Sequence, residues 1–439
     1  MKAGARVIVF EPDAGLFELS RQVQSPPASE DKRFHFAVGE AARRFFDDWD
    51  LSGSETDRFL WVEWPAAIAL HAELLESLKS KFKTRLRDRA ANLLTHFNRG
   101  SLYFENALAN FRYQDSADVG SLFGRFSNVP LVLVSAGPSL DLNVEQLRGQ
   151  EDRCFILACD SALRPLLTAG VVPHAVILAD PTELNARHII GALPDSVWMI
   201  AEQAVKPAAL EATQKRFMFG LGLFPDSLFA KYGFGKSTLD VWGSVATAAL
   251  DLACRLDANP VIFAGQDFGF SWGREYTRHT LFHANTFSPE LGGPVKELDV
   301  WGNAIHTTEN LVAYRDHFVR KMKQRTDIRF INATEGGILR ESCEILRLRD
   351  VLVQLPETSW NIAGRLAQRH QPQRTSREAL RHLRKVLKLR RRDCSCLSGF
   401  LELVAKEALL KKDASAASTI DEKVDWGIRQ LEKALGKEV

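Results

Sequence analysis

The chain alternates between short apolar runs and longer stretches of helical periodicity. In the first 118 residues, Val7–Phe10, Phe34–Val38 and Phe59–Val62 read as strands, and Ala66–Ser80 and Lys81–Phe97 as helices. From about 119 to 351 the runs Leu131–Val134, Cys154–Cys159, Ala175–Ala179, Val197–Ala201, Arg216–Phe219 and Val261–Ala264 are continuous rather than alternating, and turn residues bound each of them. Strands of that kind are buried on both faces, so they predict a parallel sheet covered by helices. From 352 to 439 there is no strand pattern. Leu380, Leu383 and Leu387, then Leu397, Phe400, Leu401 and Val404, recur at helical spacing, and Thr419 to Glu422 reads as a capping box. The expected architecture is therefore α/β: a small α/β N-terminal domain (1–118), a Rossmann-like, mostly parallel central domain (119–351) and a helical C-terminal region (352–439).

A length of 439 residues suits two or three domains. The net charge of +2 argues against nucleic acid or an acidic membrane as partner. Arg377, Arg381, Arg384, Lys385, Lys388 and Arg390–Arg392 make one basic helical face. It reads as a solvated surface or as a site for an acidic protein, since no aromatics are interleaved for base stacking. The six cysteines form no C-x-x-C pair, and three lie in apolar runs, which suits a reducing compartment. Residues 6–10 are too short an apolar run for a signal peptide, and no run approaches the ~20 residues that span a bilayer, so a cytoplasmic location is expected.

Chemistry-bearing residues cluster where strands end. Leu131–Val134 runs into Ser135-Ala136-Gly137-Pro138-Ser139, with a helical pattern from about Leu142. Gly137 permits close backbone approach, Pro138 stiffens the turn, and Ser139 at a helix start can cap it or face an anion. A plain tight turn would use the same residues. Asp160, Asp180 and Asp267 each follow an apolar run. Alone, each reads as a helix cap; together they predict a site at the carboxyl edge of the sheet, able to hold ribose, a metal or a reacting proton. Gly243-Ser244 opens a helix of small residues, as a cap or a phosphate site. The long segment 268–296 carries Arg274, Tyr276, Arg278, His279 and His283 and reads as a substrate lid.

These pieces together resemble the domain shared by bacterial motility accessory factors and an archaeal enzyme that pyrophosphorylates hydroxymethyl-dihydropterin. In order they are Ala136-Gly-Pro-Ser-Leu140, Gly170-Val-Val-Pro-His174 leading to Ala179-Asp-Pro181, Gly243-Ser244, Gly265-Gln-Asp267, Thr277-Arg-His279, and Gly302 through Thr307-Thr308 to Asn332-Ala-Thr-Glu-Gly-Gly337. Val9-Phe-Glu-Pro-Asp13, Phe104-Glu-Asn106 and Asn110 match the bacterial branch upstream, with Phe104 where tryptophan is usual. The resemblance covers about 5–350.

It implies a flagellin glycosyltransferase that moves a nonulosonic acid, of the pseudaminic or legionaminic type, from its CMP-activated form to serine or threonine. The implied nucleotide-sugar site comprises Gly137, Pro138, Ser139, Asp160, Ser161, Asp180, Gly243, Ser244 and Gln266. The implied catalytic group comprises His279 as base, Asp267 and Tyr276, with Tyr276 or Arg278 steadying the leaving phosphate and His283 and His306 as alternatives to His279. No cofactor is required and no metal site is expected, although Mg²⁺ is compatible with the aspartates. The expected partners are the donor and flagellin. Two other readings stay open: a pterin diphosphokinase using ATP and Mg²⁺, and a noncatalytic flagellin-binding protein.

Three departures from the pattern stand out. Related sialyltransferases carry asparagine before G-P-S, where Ser135-Ala136 stands here, and asparagine at the position of Asp160. An aspartate beside a CMP-sugar is electrostatically awkward unless it pairs with ribose or a cation. Family members also carry a glycine-rich strand before the E-P-D strand, whereas this sequence starts at that strand. The N-terminal unit is accordingly expected to bind no cofactor.

Overall fold

The computed structural model describes residues 7–23, 34–42, 45, 60–222, 226–231, 234–285 and 295–371. The chain divides into two compact units, Met1–Phe97 and Asn98–Val439.

In the first unit, β1 (Val7–Glu11) pairs in parallel with β2 (Phe34–Val38), and the helix Ala14–Val23 lies between them in sequence. Asp13 starts that helix by accepting from the Gly15 and Leu16 N–H groups at 2.8 and 3.0 Å. Leu60–Val62 forms no strand, contrary to the sequence reading. Leu60 is 88% and Val62 78% exposed, and an apolar run becomes a strand only where a neighbour pairs with it. The helices expected at Ala66–Ser80 and Lys81–Phe97 are not divided at 80/81; the helical stretch Pro65–Asn110 breaks instead at a kink at His71, whose backbone is non-helical.

The second unit holds a nine-stranded sheet, wholly parallel, in the order β13-β12-β9-β4-β5-β6-β7-β8-β3. Its strands are β3 (Ala117–Asp118), β4 (Leu131–Val134), β5 (Phe155–Cys159), β6 (Ala175–Leu178), β7 (Trp198–Glu202), β8 (Arg216–Phe219), β9 (Val261–Ala264), β12 (Phe330–Asn332) and β13 (Glu344–Ile345). A separate antiparallel hairpin joins β10 (Val295–Leu298) to β11 (Ala304–Thr307). Strands β4 to β9 are buried at every position, as their continuous apolar runs predicted. Leu131 and Leu133 face the helices Val245–Arg255 and Glu309–Gln324, while Val132 and Val134 face Leu166, Leu348, Val351 and Leu352. Each such side chain contributes about 1.5–3 kcal/mol by leaving water.

The unit boundary falls well before the expected position near Asp118, because the end of the long helix is bonded into the sheet. Asn106 Nδ2 donates to the Pro181 and Ala204 carbonyls, and Asn110 Nδ2 to those of Gln203 and Val205, at 2.7–2.9 Å. Buried amide–carbonyl bonds of this kind each contribute about 1 kcal/mol net. At the other end, Leu352, Leu355, Ile362 and Leu366 are buried in the same core, so the central unit continues past 351. The helical bundle and the basic face Arg377–Arg392 expected further on lie outside the described residues. Among the described residues, no helix is long and apolar enough to cross a membrane.

Candidate functional site

The strand order dictates where a ligand can enter. From β4 the chain steps outward through β5, β6, β7 and β8, then returns to place β9 on the other side of β4, and continues outward to β12 and β13. At such a reversal an open parallel sheet takes its ligand in a crevice outside its carboxyl edge, here above β4 and β9. The loop after β4 is Ser135–Ser139, and the loop after β9 is Gly265–Asp267. Asp160 and Asp180 leave the neighbouring strands β5 and β6 at the same edge. The sheet thus brings together Gly137, Asp160, Asp180 and Asp267, as the sequence predicted.

The two loops are locked face to face. Ser139 Oγ donates to Asp267 Oδ2 at 2.5 Å and its N–H to the same carboxylate at 3.3 Å, and Ser271 Oγ donates to Asp267 Oδ1. Ser135 Oγ donates to Gln266 Oε1 at 2.6 Å, and the Gln266 N–H to Thr334 Oγ1 at 3.1 Å. Gly137 is required for this contact, since a Cβ there would stand 2.1 Å from Asp267 Oδ2. Burial pushes the Asp267 carboxyl up to about 6 against the pull of those hydroxyls.

This geometry changes the role of several residues. Ser139 is fully buried and its donors are spent on Asp267, and Pro138 is buried beneath them. No α-helix begins at Ser139, because Pro138–Leu142 and Val144–Leu147 are short 3-10 turns, so the expected helix start is absent from this loop. Gln266 and Asp267, buried at 6% and 2% exposure, brace the crevice from within. The helix start at Gly243-Ser244 is real. Gly243 is exposed, Ser244 Oγ accepts from the Ala246 N–H, and the helix Val245–Arg255 follows.

Asp160 is a carboxylic acid set near neutrality. Its carboxyl is buried, accepts from the Ser161 N–H at 2.7 Å, and is pushed up to about 7 by burial and by Asp180 nearby. Asp180 is half-buried and accepts from the Thr182 N–H at 2.8 Å. Burial, then the neighbouring charge of Glu275 and, after it, Asp160, Tyr314 and Asp180, drives the Tyr276 phenol far above the usual range. Tyr314 in turn packs against Gly243, where a Cβ would meet its ring at 2.7 Å. Tyr314 therefore stands at the Gly243-Ser244 helix start.

A folded carboxyl raised above its unfolded value favours the fold at low pH, and that advantage is lost as pH rises through the raised value. Asp160→Asn should therefore stabilise the protein at pH 8 by up to about 4 kcal/mol, with the gain vanishing below about pH 4. Denaturant melts of the two proteins at both pH values check this, and an equal gain at pH 3.5 would contradict it.

The segment after β9 is strapped across the mouth. Arg274 Nη1 donates to Asp141 Oδ2 at 2.6 Å, Thr277 Oγ1 and the Arg278 N–H donate to Asp141 Oδ1, and the Thr277 N–H reaches the Ala136 carbonyl at 2.9 Å. Burial alone would raise the Asp141 carboxyl, but the Thr277, Arg274 and Arg278 donors outweigh it and hold it below the ordinary value. Phe282 packs against Tyr276 and against the buried ring of His188, anchoring the far end. His279 lies between these anchors, exposed and with φ at 68°. His283 is exposed and bonded to the Thr280 carbonyl, and His306 is exposed on β11. Phe268, Trp272 and Glu335 share the left-handed backbone of His279, so strain gathers on the loops around Asp267. Asp141, Ser271 and Tyr314 were missed by the sequence reading.

Among the described residues, no three His, Cys, Asp or Glu side chains converge as a metal-ligand set. Comparisons with known proteins bear on the whole arrangement. Residues 105–273 match the sequence profile of the MptE-like family, described as 6-hydroxymethylpterin diphosphokinase MptE-like. Two proteins of Treponema pallidum (strain Nichols), each described as an uncharacterized protein, are similar. One is 26% identical over 242 residues, covering 52% of this chain and 42% of its own length. The other is 28% identical over 128 residues, covering 29% and 59%. The solved structure of a Maf glycosyltransferase from Magnetospirillum magneticum AMB-1 superposes with a TM-score of 0.54 at 17% identity, over 96% of this chain and 66% of that one. The chain thus spans less than two thirds of the length of each of these relatives.

Proposed function

We propose, for a chain whose central domain is MptE-like and whose fold is that of a Maf glycosyltransferase, that it transfers a sugar from a nucleotide-activated donor to a protein hydroxyl. The donor in this reading is a CMP-activated nonulosonic acid and the acceptor a serine or threonine of flagellin. One arrangement supports it: the carboxyl edge of the sheet holds the near-neutral Asp160 carboxyl with Asp180 and Tyr276 nearby, and the segment after β9 presents His279 beside that edge.

The roles follow from that layout. The exposed N-terminal end of the helix Val245–Arg255 suits the donor's phosphate. Asp160 is no obstacle to an anionic donor, because a carboxyl raised to about 7 is protonated in a large fraction of molecules at neutral pH and can donate a hydrogen bond. Tyr276, whose phenol stays protonated, donates to the leaving phosphate. His279 takes the proton of the acceptor hydroxyl as that oxygen bonds to the anomeric carbon and the bond from that carbon to the phosphate oxygen breaks. The nucleotide leaves with the electron pair. Asp267 acts indirectly, by holding the two loops. In this reading the protein needs no resident cofactor.

The MptE-like match keeps a diphosphokinase as the second reading. Thermal-shift measurements with CMP, CDP, and ATP with Mg²⁺ separate the two, because a specific ligand raises the melting temperature by mass action. Stabilisation by CMP supports the sugar-transfer reading. Stabilisation by ATP with Mg²⁺ and none by CMP would replace it with the kinase.

A further inference from the structure

The strap over the crevice brings two guanidinium groups to one carboxylate. Asp141 is a single carboxylate, 14% exposed, and it receives both guanidinium groups of the strap, Arg274 at 2.6 Å and Arg278 Nε at 3.5 Å. It also takes the Thr277 hydroxyl and the Arg278 N–H. Two guanidinium groups thus share the Asp141 carboxylate, while the strap's own carboxylate, Glu275, accepts from Asn285 Nδ2 at 3.0 Å. The Arg278 side chain is 74% exposed, and among the described residues its guanidinium makes only that long contact, which leaves most of its five N–H donors unused there. Asp141 lies two residues beyond Ser139, and Thr277 rests on the Ala136 carbonyl, so this cluster sits at the mouth of the crevice.

We infer that Arg274, the Thr277 hydroxyl, and the guanidinium and N–H of Arg278 form an anion subsite at the mouth of the crevice. Asp141 is its internal occupant, and a substrate oxyanion (phosphate or carboxylate) takes its place. This rests on the reading of an anionic donor given above and adds the residues that would greet it. A fork of guanidinium N–H groups beside a hydroxyl and a backbone N–H is the donor geometry that phosphate and carboxylate both accept. Because Asp141 competes for the same donors, it weakens anion binding in the resting protein and keeps the strap docked until a ligand arrives.

The test uses a change of opposite sign to damage. Asp141→Asn keeps one acceptor oxygen for Thr277 and the Arg278 N–H but removes the charge that holds the guanidinium groups. Pyrophosphate affinity of the full chain, measured by calorimetry without nucleotide or sugar, should then rise about five- to tenfold, as expected for removing a competing charge within a few ångströms. Adding Arg274→Gln or Arg278→Gln to Asp141→Asn should cancel the gain. Parallel titrations with CMP and with free N-acetylneuraminic acid tell a phosphate subsite from a carboxylate subsite, by which of the two shows the same gain. Folded Asp141→Asn with unchanged or weaker pyrophosphate binding would overturn the inference and leave Asp141 a strap only. Should Asp141→Asn fail to fold, Arg278→Gln alone decides: a loss of threefold or more (about 0.7 kcal/mol) in pyrophosphate affinity supports the subsite, and no change overturns it. A rise for pyrophosphate with no binding of CMP to any variant would uphold the subsite while removing the donor proposed above.

Discussion

Replacing His279 with alanine should lower sugar transfer by about 10²–10⁴-fold, the usual cost of losing a positioned base. The hydroxyl of serine or threonine is a poor nucleophile until its proton is removed, and the group that removes it must reach the acceptor from outside the crevice. Asp267 has no such access, since it is 2% exposed and bonded to Ser139 and Ser271. His279 has it, being exposed between two docked points of the strap, the Asp141 clamp and the Phe282 anchor. Its left-handed backbone is one that histidine adopts more readily than most residues. The loss should fall on kcat, with CMP affinity by calorimetry unchanged, because the imidazole acts on the acceptor. His283→Ala and His306→Ala should stay within about threefold of the parent protein, since neither lies between the anchors. A His279→Ala protein that transfers sugar within a few-fold of the parent would remove this residue from the mechanism.

Gly337→Ala should destabilise the second unit by about 3–5 kcal/mol and abolish activity with it. A Cβ at this position would stand 2.1 Å from the Asp267 carbonyl oxygen and 2.3 Å from its Cα, and φ is 72°. The atoms it meets are backbone, so no rotamer change relieves the contact. The segment cannot retreat without breaking the bonds from the Ile338 N–H to the Asp267 carbonyl and from the Val300 N–H to the Gly337 carbonyl, at 2.8 and 2.9 Å. Gly302→Ala is the control. Its φ of 85° carries the same backbone penalty, but nothing lies within 4 Å of the added atom, so about 1 kcal/mol is expected. Urea denaturation of both variants measures the difference. Equal losses would show that backbone conformation, and not the close approach to Asp267, is what Gly337 supplies.

Much of this protein is legible from local pattern. The runs Leu131–Val134, Phe155–Cys159 and Val261–Ala264 are apolar throughout, and an element buried on both faces has to be, so the sheet and its parallel character follow from the sequence. Gly137, Asp160 and Asp267 follow those runs and Asp180 follows Ala175–Leu178, and strands that run in parallel put all their carboxyl ends at one edge. The segment after Asp267 was legible as a cover by its length and mixed chemistry. The end of the Pro65–Asn110 helix was not, because its buried asparagines answer to carbonyls some 75–98 residues away. Nor was the duty of Ser139. Its sequence neighbours suit a helix start facing an anion, but the anion it meets is Asp267, 128 residues later, and that meeting exists only because β9 inserts beside β4 instead of extending the sheet past β8. Asp141 and its two arginines depend on the same return of the chain. Burial periodicity and turn chemistry act between near neighbours, so the sequence by itself determines which elements form and where they end. Which side chains become partners depends on strand order, and strand order is settled by packing the whole sheet and its helices at once.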